Sequence, residues 1–189
     1  YITLLVAPGK MGERFSSACD IAFKVVGTVG EGTSKGDTKR ISKEMVSKGA
    51  ELLIFVGGDG TARDIYDAIG STIPVVAVPA GVKVFSSVFA VSARAAGEMV
   101  DAFVEGAEVT EEEVLDIDEN AFREGRLASR LYGYLLVPCA KKLLQGGKEA
   151  SNIGKSAVAG KKEIARYIVE EMDKGSLYLL GPGTTLKAV

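Results

Sequence analysis

The 189-residue chain is 47% hydrophobic and 25% charged with a formal net charge of -2, a composition typical of a globular protein with a substantial core. This near-neutral charge provides no broad electrostatic attraction for nucleic acid, so we expect no nucleic-acid partner. Because the chain contains no histidine, Ser-His catalytic triads and most transition-metal sites are excluded.

Cellular location and cysteine chemistry are also suggested by the sequence. No apolar stretch approaches the ~20 residues that a membrane span needs, and no signal peptide begins at Tyr1. We therefore expect a cytoplasmic protein without a membrane partner. Cys19 and Cys139 lie far apart and lack a CxxC spacing, so we predict that both are small buried hydrophobic residues.

The first part of the chain alternates short apolar runs with helical patterns. The apolar runs predict strands that end in glycine or proline loops, and the helical patterns begin at capping residues. This alternation predicts an α/β fold with an open, mostly parallel, Rossmann-like sheet over residues 1–107. In chain order we predict strands at 2–7 and 24–27, a helix from Asp37 to Lys48, a strand at 52–56, a helix at 62–69, a strand at 74–78 and a helix capped by Ser92 that ends near Glu105.

A second region begins after residue 107, where the periodicity changes. An acidic run from Glu108 to Glu113 is followed by strand-like segments, and we predict a mixed, more β-rich second domain over residues 108–189. The chain opens without an initiator methionine and stops at Val189 early in a predicted helix, so we expect this domain to be incomplete at its carboxyl end. Its predicted elements are strands at 114–118, 126–137 and 176–180, with helical spacing from Ala165 to Met172.

The strongest chemical signal is the motif GGDGT, residues 57–61, directly after the predicted strand at 52–56. Its glycines allow the backbone to turn sharply and to approach a ligand closely. Thr61 is placed to cap the next helix, whose first N–H groups favour a phosphate. Asp59 would repel a phosphate, so we interpret it as holding a cation such as Mg²⁺ or accepting a proton from an attacking hydroxyl. A structural alternative, in which Asp59 only accepts hydrogen bonds from turn amides, stays open.

Three further loops are predicted at the same edge of the sheet, because ligands of open α/β sheets bind at the carboxyl ends of the strands. The loop at 8–12 is either a phosphate loop or a plain turn. In the loop at 79–83, Lys83 either offsets charge on a phosphoryl group or is a solvated lysine. The loop at 181–185 repeats the glycine turn and threonine of GGDGT without the aspartate, and is either a second anion site or a common way to leave a strand.

Other acidic residues are weaker candidates. Asp64 lies in the first turn of the predicted helix, where it either contributes to the site or simply interacts with the helix dipole. Asp116 and Asp118 share one face of a predicted strand. They either bind a ribose or a metal, or form a solvated strand edge.

The GGDGT motif resembles the signature of the superfamily that joins NAD kinases, diacylglycerol and sphingosine kinases and, more remotely, phosphofructokinases. A narrower resemblance, to the ATP-NAD kinase-like (AcoX-type) family, rests on GGDGTARDIYDAIG, VPAGVKVFSSVFAVSARAAG, VLDIDENAFREG and LGPGTT and covers nearly the whole chain. It implies an amino-terminal α/β domain, a β-rich second domain and a cleft between them. For NAD kinases it implies transfer of the γ-phosphoryl group of ATP to the 2′-hydroxyl of the adenosine ribose, with Asp59 as base or metal organiser.

Two segments differ from the usual NAD kinase pattern. The string AGVKVFSS stands where NAD kinases typically have a glycine-leucine-glycine-phenylalanine type loop, and Asp118-Glu119-Asn120 is the nearest analogue of their Asn-Glu pair. The leading hypothesis is an NAD kinase or close relative. The alternatives are a kinase that acts on a lipid or another alcohol, and a nucleotide-binding regulatory module without turnover.

This resemblance completes the predicted site. We expect Mg²⁺ or another divalent cation, ATP or polyphosphate as phosphoryl donor, NAD as a small-molecule partner, and a homo-oligomer as a family-level expectation. Asp59 is the predicted catalytic and metal-binding residue. The predicted nucleotide-binding residues are Gly57, Gly58, Gly60, Thr61, Asp64, Gly81, Lys83, Gly181, Gly183 and Thr184.

Overall fold

The structure is a computed structural model that describes residues 2–19, 21–80, 84–117, 129–139, 143–144, 155–173, 175–180, 186 and 189. The chain divides into two compact units, one formed by residues 1–118 and 129–148 and the other by residues 119–128 and 149–189. The domain boundary predicted after residue 107 stays a prediction.

The amino-terminal part of the first unit is built from parallel strand pairs and helices. Its elements are β1 (Leu4–Val6), α1 (Glu13–Ser16), β2 (Phe23–Val25), α2 (Lys35–Ser47), β3 (Leu53–Gly57), α3 (Asp59–Ile69), β4 (Val75–Pro79) and α4 (Ala93–Val104). β1 pairs with β2 and β3 pairs with β4, both in parallel. The predicted α/β class with parallel strands is therefore confirmed, although the described strands form two-stranded sheets rather than one continuous sheet.

The core of this unit forms where the apolar runs predicted it. Val75, Val76 and Ala77 of β4 are completely buried, as expected for a parallel strand that is covered on both faces. From α3, Ala62 and Ile65 pack into the same cluster at helical spacing. Burial of these apolar side chains is the main force that holds α3 against the strands.

Of three helix caps predicted from the sequence, the structure confirms one and contradicts two. The hydroxyl of Ser92 accepts a hydrogen bond from the Ala95 N–H at 3.1 Å and caps α4, as predicted. Ser34, and not Asp37, is the cap of α2, because the Asp37 carboxylate reaches back to the Ser34 N–H at 3.0 Å in a capping box. α3 begins at Asp59 with Gly58 as its cap, so the prediction that Thr61 caps this helix is wrong.

An antiparallel hairpin, β5 (Val109–Ile117) and β6 (Ser129–Pro138), belongs to the first unit. The acidic run that precedes the predicted strand is therefore the beginning of β5. The strand register shifts after Val114, which lies opposite Gly133, whereas Leu115 lies opposite Leu131. The shift leaves Tyr132 of β6 without a partner on β5, and such a bulge bends the strand that carries it.

The second unit contains α5 (Lys155–Glu170).

Two sequence predictions about residues outside the core are wrong. Residues 176–180 form no strand and are exposed, because no strand among the described residues pairs with them. Cys19 and Cys139 are both exposed, since each lies just beyond the end of a helix or strand rather than inside one. Within the described ranges, every helix is too short or too polar to traverse a lipid bilayer.

α3 contacts the hairpin through aromatic rings and through a glycine. The rings of Tyr66 and Tyr132 meet edge to face, with their centroids 5.8 Å apart. Gly133 lies beneath the Tyr66 ring, where a Cβ atom would come within 2.3 Å of the Tyr66 Cζ. A side chain at position 133 would therefore separate α3 from β6.

A polar network joins the same elements at the surface. The Lys39 ammonium lies 2.5 Å from one Asp67 carboxylate oxygen, and the Tyr132 hydroxyl donates to the other at 2.8 Å. The hydrogen bond from Lys39, and then the one from Tyr132, lowers the pKa of Asp67. Asp67 in turn raises the pKa of Lys39 and of Tyr132.

The first prediction concerns the packing of Tyr66 on Gly133. Gly133→Ala should lower the free energy of unfolding by about 1–3 kcal/mol, because the new methyl group overlaps the ring. Gly97→Ala is the control, since no described atom lies within 4 Å of a Cβ added at this helical position. It should stabilise the protein by about 0.5–1 kcal/mol. Urea denaturation measures both, and an unchanged stability of Gly133→Ala would contradict the packing.

The second prediction concerns the stability of the protein at acidic pH. A carboxylate whose pKa is lower in the folded than in the unfolded protein stabilises the fold above its unfolded pKa and ceases to do so as the pH falls through its folded pKa. Asp67 should therefore contribute to a loss of stability below about pH 4. Asp67→Asn should reduce the slope of unfolding free energy against pH in this range. Parallel slopes for the two proteins would show that the network is not formed in solution.

Candidate functional site

The GGDGT motif lies at the carboxyl ends of β3 and β4. Gly57 pairs with Pro79, and the Ala80 N–H donates to the Gly57 carbonyl at 2.8 Å. α3 begins within the motif, and the first N–H groups of a helix have no partner inside the helix. The motif therefore combines a strand end with a helix N-terminus, which favours a phosphate.

The three glycines of the motif serve different purposes, and none of them has a positive φ angle. A Cβ at Gly57 would lie 2.4 Å from the Thr61 hydroxyl oxygen, so Thr61 packs directly on this glycine. At Gly58 the nearest described atom to an added Cβ would be the Ala80 carbonyl oxygen at 3.8 Å, and at Gly60 it would be an Arg63 nitrogen at 3.7 Å. Packing among the described residues therefore does not require glycine at 58 or 60, where the missing side chains leave room beside the helix N-terminus.

The Asp59 carboxylate is turned toward the segment that follows β4. The Phe85 N–H donates to Oδ2 at 2.9 Å and to Oδ1 at 3.2 Å. Oδ1 also accepts from the Ser86 N–H at 2.8 Å and from the Ser86 hydroxyl at 2.5 Å. These donors are not the amides of the glycine turn, which were the partners considered from the sequence. Asp59 therefore joins the start of α3 to residues 85 and 86.

Ser86 and its neighbour Ser87, which no sequence motif predicted as site residues, connect this segment to the hairpin. The Ser86 hydroxyl oxygen accepts a hydrogen bond from the Leu115 N–H at 2.9 Å. The Ser87 hydroxyl oxygen accepts one from the Glu113 N–H at 2.8 Å. One sequence feature could have identified them, because both serines lie inside the apolar run from Val84 to Ala90. Buried hydroxyl groups must find hydrogen-bond partners.

The other described acidic candidates have ion-pair partners. Asp64 lies 3.4 Å from the Lys39 ammonium on α2. Because α3 begins at Asp59, Asp64 lies beyond the first turn, and its predicted place there, at the helix dipole, is wrong. Asp116 pairs with Arg63, a residue that the sequence analysis missed, and lies 3.6 Å from Arg130. Neither a ribose nor a metal is needed to explain the position of Asp116. Nucleotide binding by Asp64 stays a prediction.

A cavity of about 510 Å³ lies at the carboxyl ends of β1 and β2. The loop at 8–12, which the sequence left open between a phosphate loop and a plain turn, forms part of its wall. Within this loop the Gly9 N–H donates to the Glu13 carboxylate at 2.7 Å. The cavity falls in the ~300–1,000 Å³ range of small-molecule sites. Its other lining residues include Lys10, Val25, Thr28, Val29 and Thr33.

Several predicted site residues lie outside the described residues, namely Gly81, Lys83, Asp118, Gly181, Gly183 and Thr184. Among those that are described, Gly57 to Thr61 lie together at the start of α3. The described ranges contain no group of three or more His, Cys, Asp or Glu side chains that could hold a metal ion.

Comparison with known proteins identifies the family. Residues 2–108 match the model of the ATP-NAD kinase N-terminal domain, and this match covers more than half of the 189-residue chain. No curated protein and no solved structure matches the chain. The matched segment contains β1 to β4, the GGDGT motif and the serine pair that contacts β5. The chain therefore belongs to the NAD kinase family of phosphotransferases.

Proposed function

We propose that the protein transfers a phosphoryl group from ATP, or from polyphosphate, to the 2′-hydroxyl of the adenosine ribose of NAD and so forms NADP. The observation that carries this proposal is the geometry of Asp59 at the start of α3. Its carboxylate is held in one orientation beside a helix N-terminus that Gly58 and Gly60 leave uncovered. Family membership supplies the reaction class.

The two oxygens of Asp59 have different surroundings. Among the described residues, Oδ1 accepts three hydrogen bonds, whereas Oδ2 accepts one, from Phe85. A carboxylate oxygen has two lone pairs, so Oδ2 can also accept the hydrogen of a substrate hydroxyl. In the proposed step the bond between the ribose 2′-oxygen and the γ-phosphorus forms and the bond from the γ-phosphorus to the bridging oxygen breaks. ADP leaves, and the hydroxyl proton passes to Asp59.

The donor phosphates would lie against the N-terminus of α3, where amide groups and the helix dipole favour negative charge. With ATP as donor, the cavity beside the loop at 8–12 has a volume that fits the nucleoside part. Asp59 fits a Mg²⁺ site, because Mg²⁺ is usually bound through one or two carboxylates together with substrate phosphates. Such an ion would neutralise charge on the transferring phosphoryl group.

One observation supports the alternative of a lipid or other apolar alcohol as the acceptor. Ile54 and Val56 share one face of β3, just before the motif, and are 47% and 65% exposed. Exposed apolar side chains beside the active site are expected in a protein that binds a lipid substrate. This alternative keeps the donor and Asp59 and changes only the acceptor.

The third prediction tests Asp59 in the full-length protein with Mg²⁺, ATP and NAD, with NADP as the measured product. Asp59→Asn should lower kcat by about 10²–10⁴-fold, because general base catalysis is lost. The asparagine oxygen at the Oδ1 position can still accept from the Phe85 and Ser86 amides, so NAD binding should persist. The amide nitrogen at the Oδ2 position faces the Phe85 N–H, so the melting temperature should fall. Asp101→Asn, which changes an exposed aspartate of α4, is the matched control and should keep full activity.

Three results would change the proposal. Native protein that binds NAD but forms no NADP would favour a regulatory module without turnover. Phosphorylation of diacylglycerol in vesicles, with no NADP formed, would favour the lipid alternative. A fully active Asp59→Asn variant would retain the function and refute the role of Asp59.

The fourth prediction tests the open space at Gly58. Gly58→Ala should raise the KM for ATP by about 10- to 100-fold, because its methyl group would keep a phosphate away from the helix N-terminus at about the cost of one hydrogen bond to a charged group. Stability should fall by no more than about 1 kcal/mol, since Gly58 is the cap of α3 but the added Cβ meets no described atom closer than 3.8 Å. Gly97→Ala, which adds a methyl group to α4 outside the motif, should leave the KM unchanged. An unchanged KM would place the phosphates elsewhere.

A further inference from the structure

The Ser86 hydroxyl is enclosed between the Asp59 carboxylate and the backbone of β5. Only 1% of Ser86 is exposed, so its hydroxyl cannot exchange these partners for water. It donates to Asp59 Oδ1 at 2.5 Å, which is within the short range of a hydrogen bond to a charged oxygen. Its oxygen accepts from the Leu115 N–H at 2.9 Å. The hydroxyl is therefore held from two sides, by Asp59 and by β5.

The Leu115 amide shares one edge of β5 with the Glu113 amide. The two residues are two positions apart, and their N–H groups bond to the Ser86 and Ser87 hydroxyls, respectively. Because alternate amides of a strand point to the same side, the regular repeat of β5 directs both at the serine pair. The Leu115 amide holds the Ser86 oxygen, and the serine hydrogen is directed at Asp59. Hydrogen bonds in such a chain strengthen one another.

Ser86 affects the orientation of the Asp59 carboxylate. The Phe85 amide contacts both carboxylate oxygens, so it does not distinguish between them. Ser86 contacts Oδ1 alone, through both its amide and its hydroxyl. These two bonds oppose rotation of the carboxylate about the Cβ–Cγ bond. Oδ2 is thereby kept in the position that the proposed reaction needs.

We propose that Ser86 is a positioning residue, which acts through Asp59 and does not touch substrate. The inference rests on the proposed role of Asp59 and extends it to the origin of its orientation. Misplacement of a reacting group by about 1 Å can cost a factor of about 10² in rate. Loss of the hydroxyl should therefore affect turnover more than substrate binding.

Ser87 provides the matched control for this proposal. It belongs to the same segment, is 6% exposed, and makes the same kind of hydrogen bond to β5, from the Glu113 N–H at 2.8 Å. No hydrogen bond joins its described hydroxyl to Asp59. Ser86→Ala and Ser87→Ala each remove one buried hydroxyl that contacts β5, so both melting temperatures should fall, and that of Ser86→Ala should fall further because it also loses the bond to the Asp59 carboxylate.

The experiment compares both variants in the NADP assay with the full-length protein. Ser86→Ala should lower kcat by about 10–100-fold and leave the KM for ATP and NAD within about twofold. Ser87→Ala should keep kcat within about twofold of the native value. In an Asp59→Asn background, Ser86→Ala should cause no further loss of kcat, because its effect is transmitted through that carboxylate. Equal kcat for the two serine variants, or additive losses in the double variant, would overturn the proposal.

A second measurement separates this proposal from the proposed function. Crystal structures of Ser86→Ala and Ser87→Ala should show the Asp59 carboxylate rotated by more than about 30° in the first and unchanged in the second. An unrotated carboxylate in Ser86→Ala would overturn the positioning role whatever the enzyme activity. If the native protein forms no NADP, the proposed function fails and the structures alone decide the role of Ser86.

Discussion

The hydrogen bonds that residues 85 and 86 donate to Asp59 connect three parts of the first unit. Asp59 is the first residue of α3, residues 85 and 86 follow β4, and the Ser86 hydroxyl continues to β5. Hydrophobic burial brings these elements together, but it has no preferred direction. The carboxylate adds direction, because its acceptors and their donors must meet at defined angles. Thus the residue that the proposed chemistry needs is also the residue that aligns the surrounding segments.

The local part of the fold could be predicted from the sequence. Continuous apolar runs identified the core of the parallel strands, and Ser92 identified the start of α4. The start of α3 was misplaced because Thr61 is a good capping residue by local rules. The structure instead begins α3 at Asp59, whose carboxylate accepts hydrogen bonds from Phe85 and Ser86, far along the chain. Local propensity contains no information about such a contact.

The same limit applies to the charged residues of the candidate site. The spacing of the sequence could place the Asp64 and Asp116 carboxylates near the carboxyl edge of the predicted sheet, but it could not identify their ion-pair partners. Lys39 on α2 and Arg63 on α3 neutralise them, and the pairing of Arg63 with Asp116 spans 53 residues. GGDGT itself was recognisable, because a strand, glycines and a helix start follow one another without interruption. Recognition of the motif therefore did not reveal how its aspartate is held.

The contact between Ser86 and Leu115 has a consequence for the order in which the protein matures during synthesis. A growing chain contains GGDGT and all of α3 by residue 69, yet Leu115 appears much later and its partner strand ends at Pro138. Contacts between distant residues form only after the intervening chain has been closed into a loop, which costs entropy. A nascent chain that lacks the hairpin could hold Asp59 through the amides of residues 85 and 86, but its Ser86 hydroxyl would lack the partner on β5. Completion of the site should therefore be a late event, and a ribosome-bound chain should fix the Ser86 hydroxyl only after the hairpin has emerged.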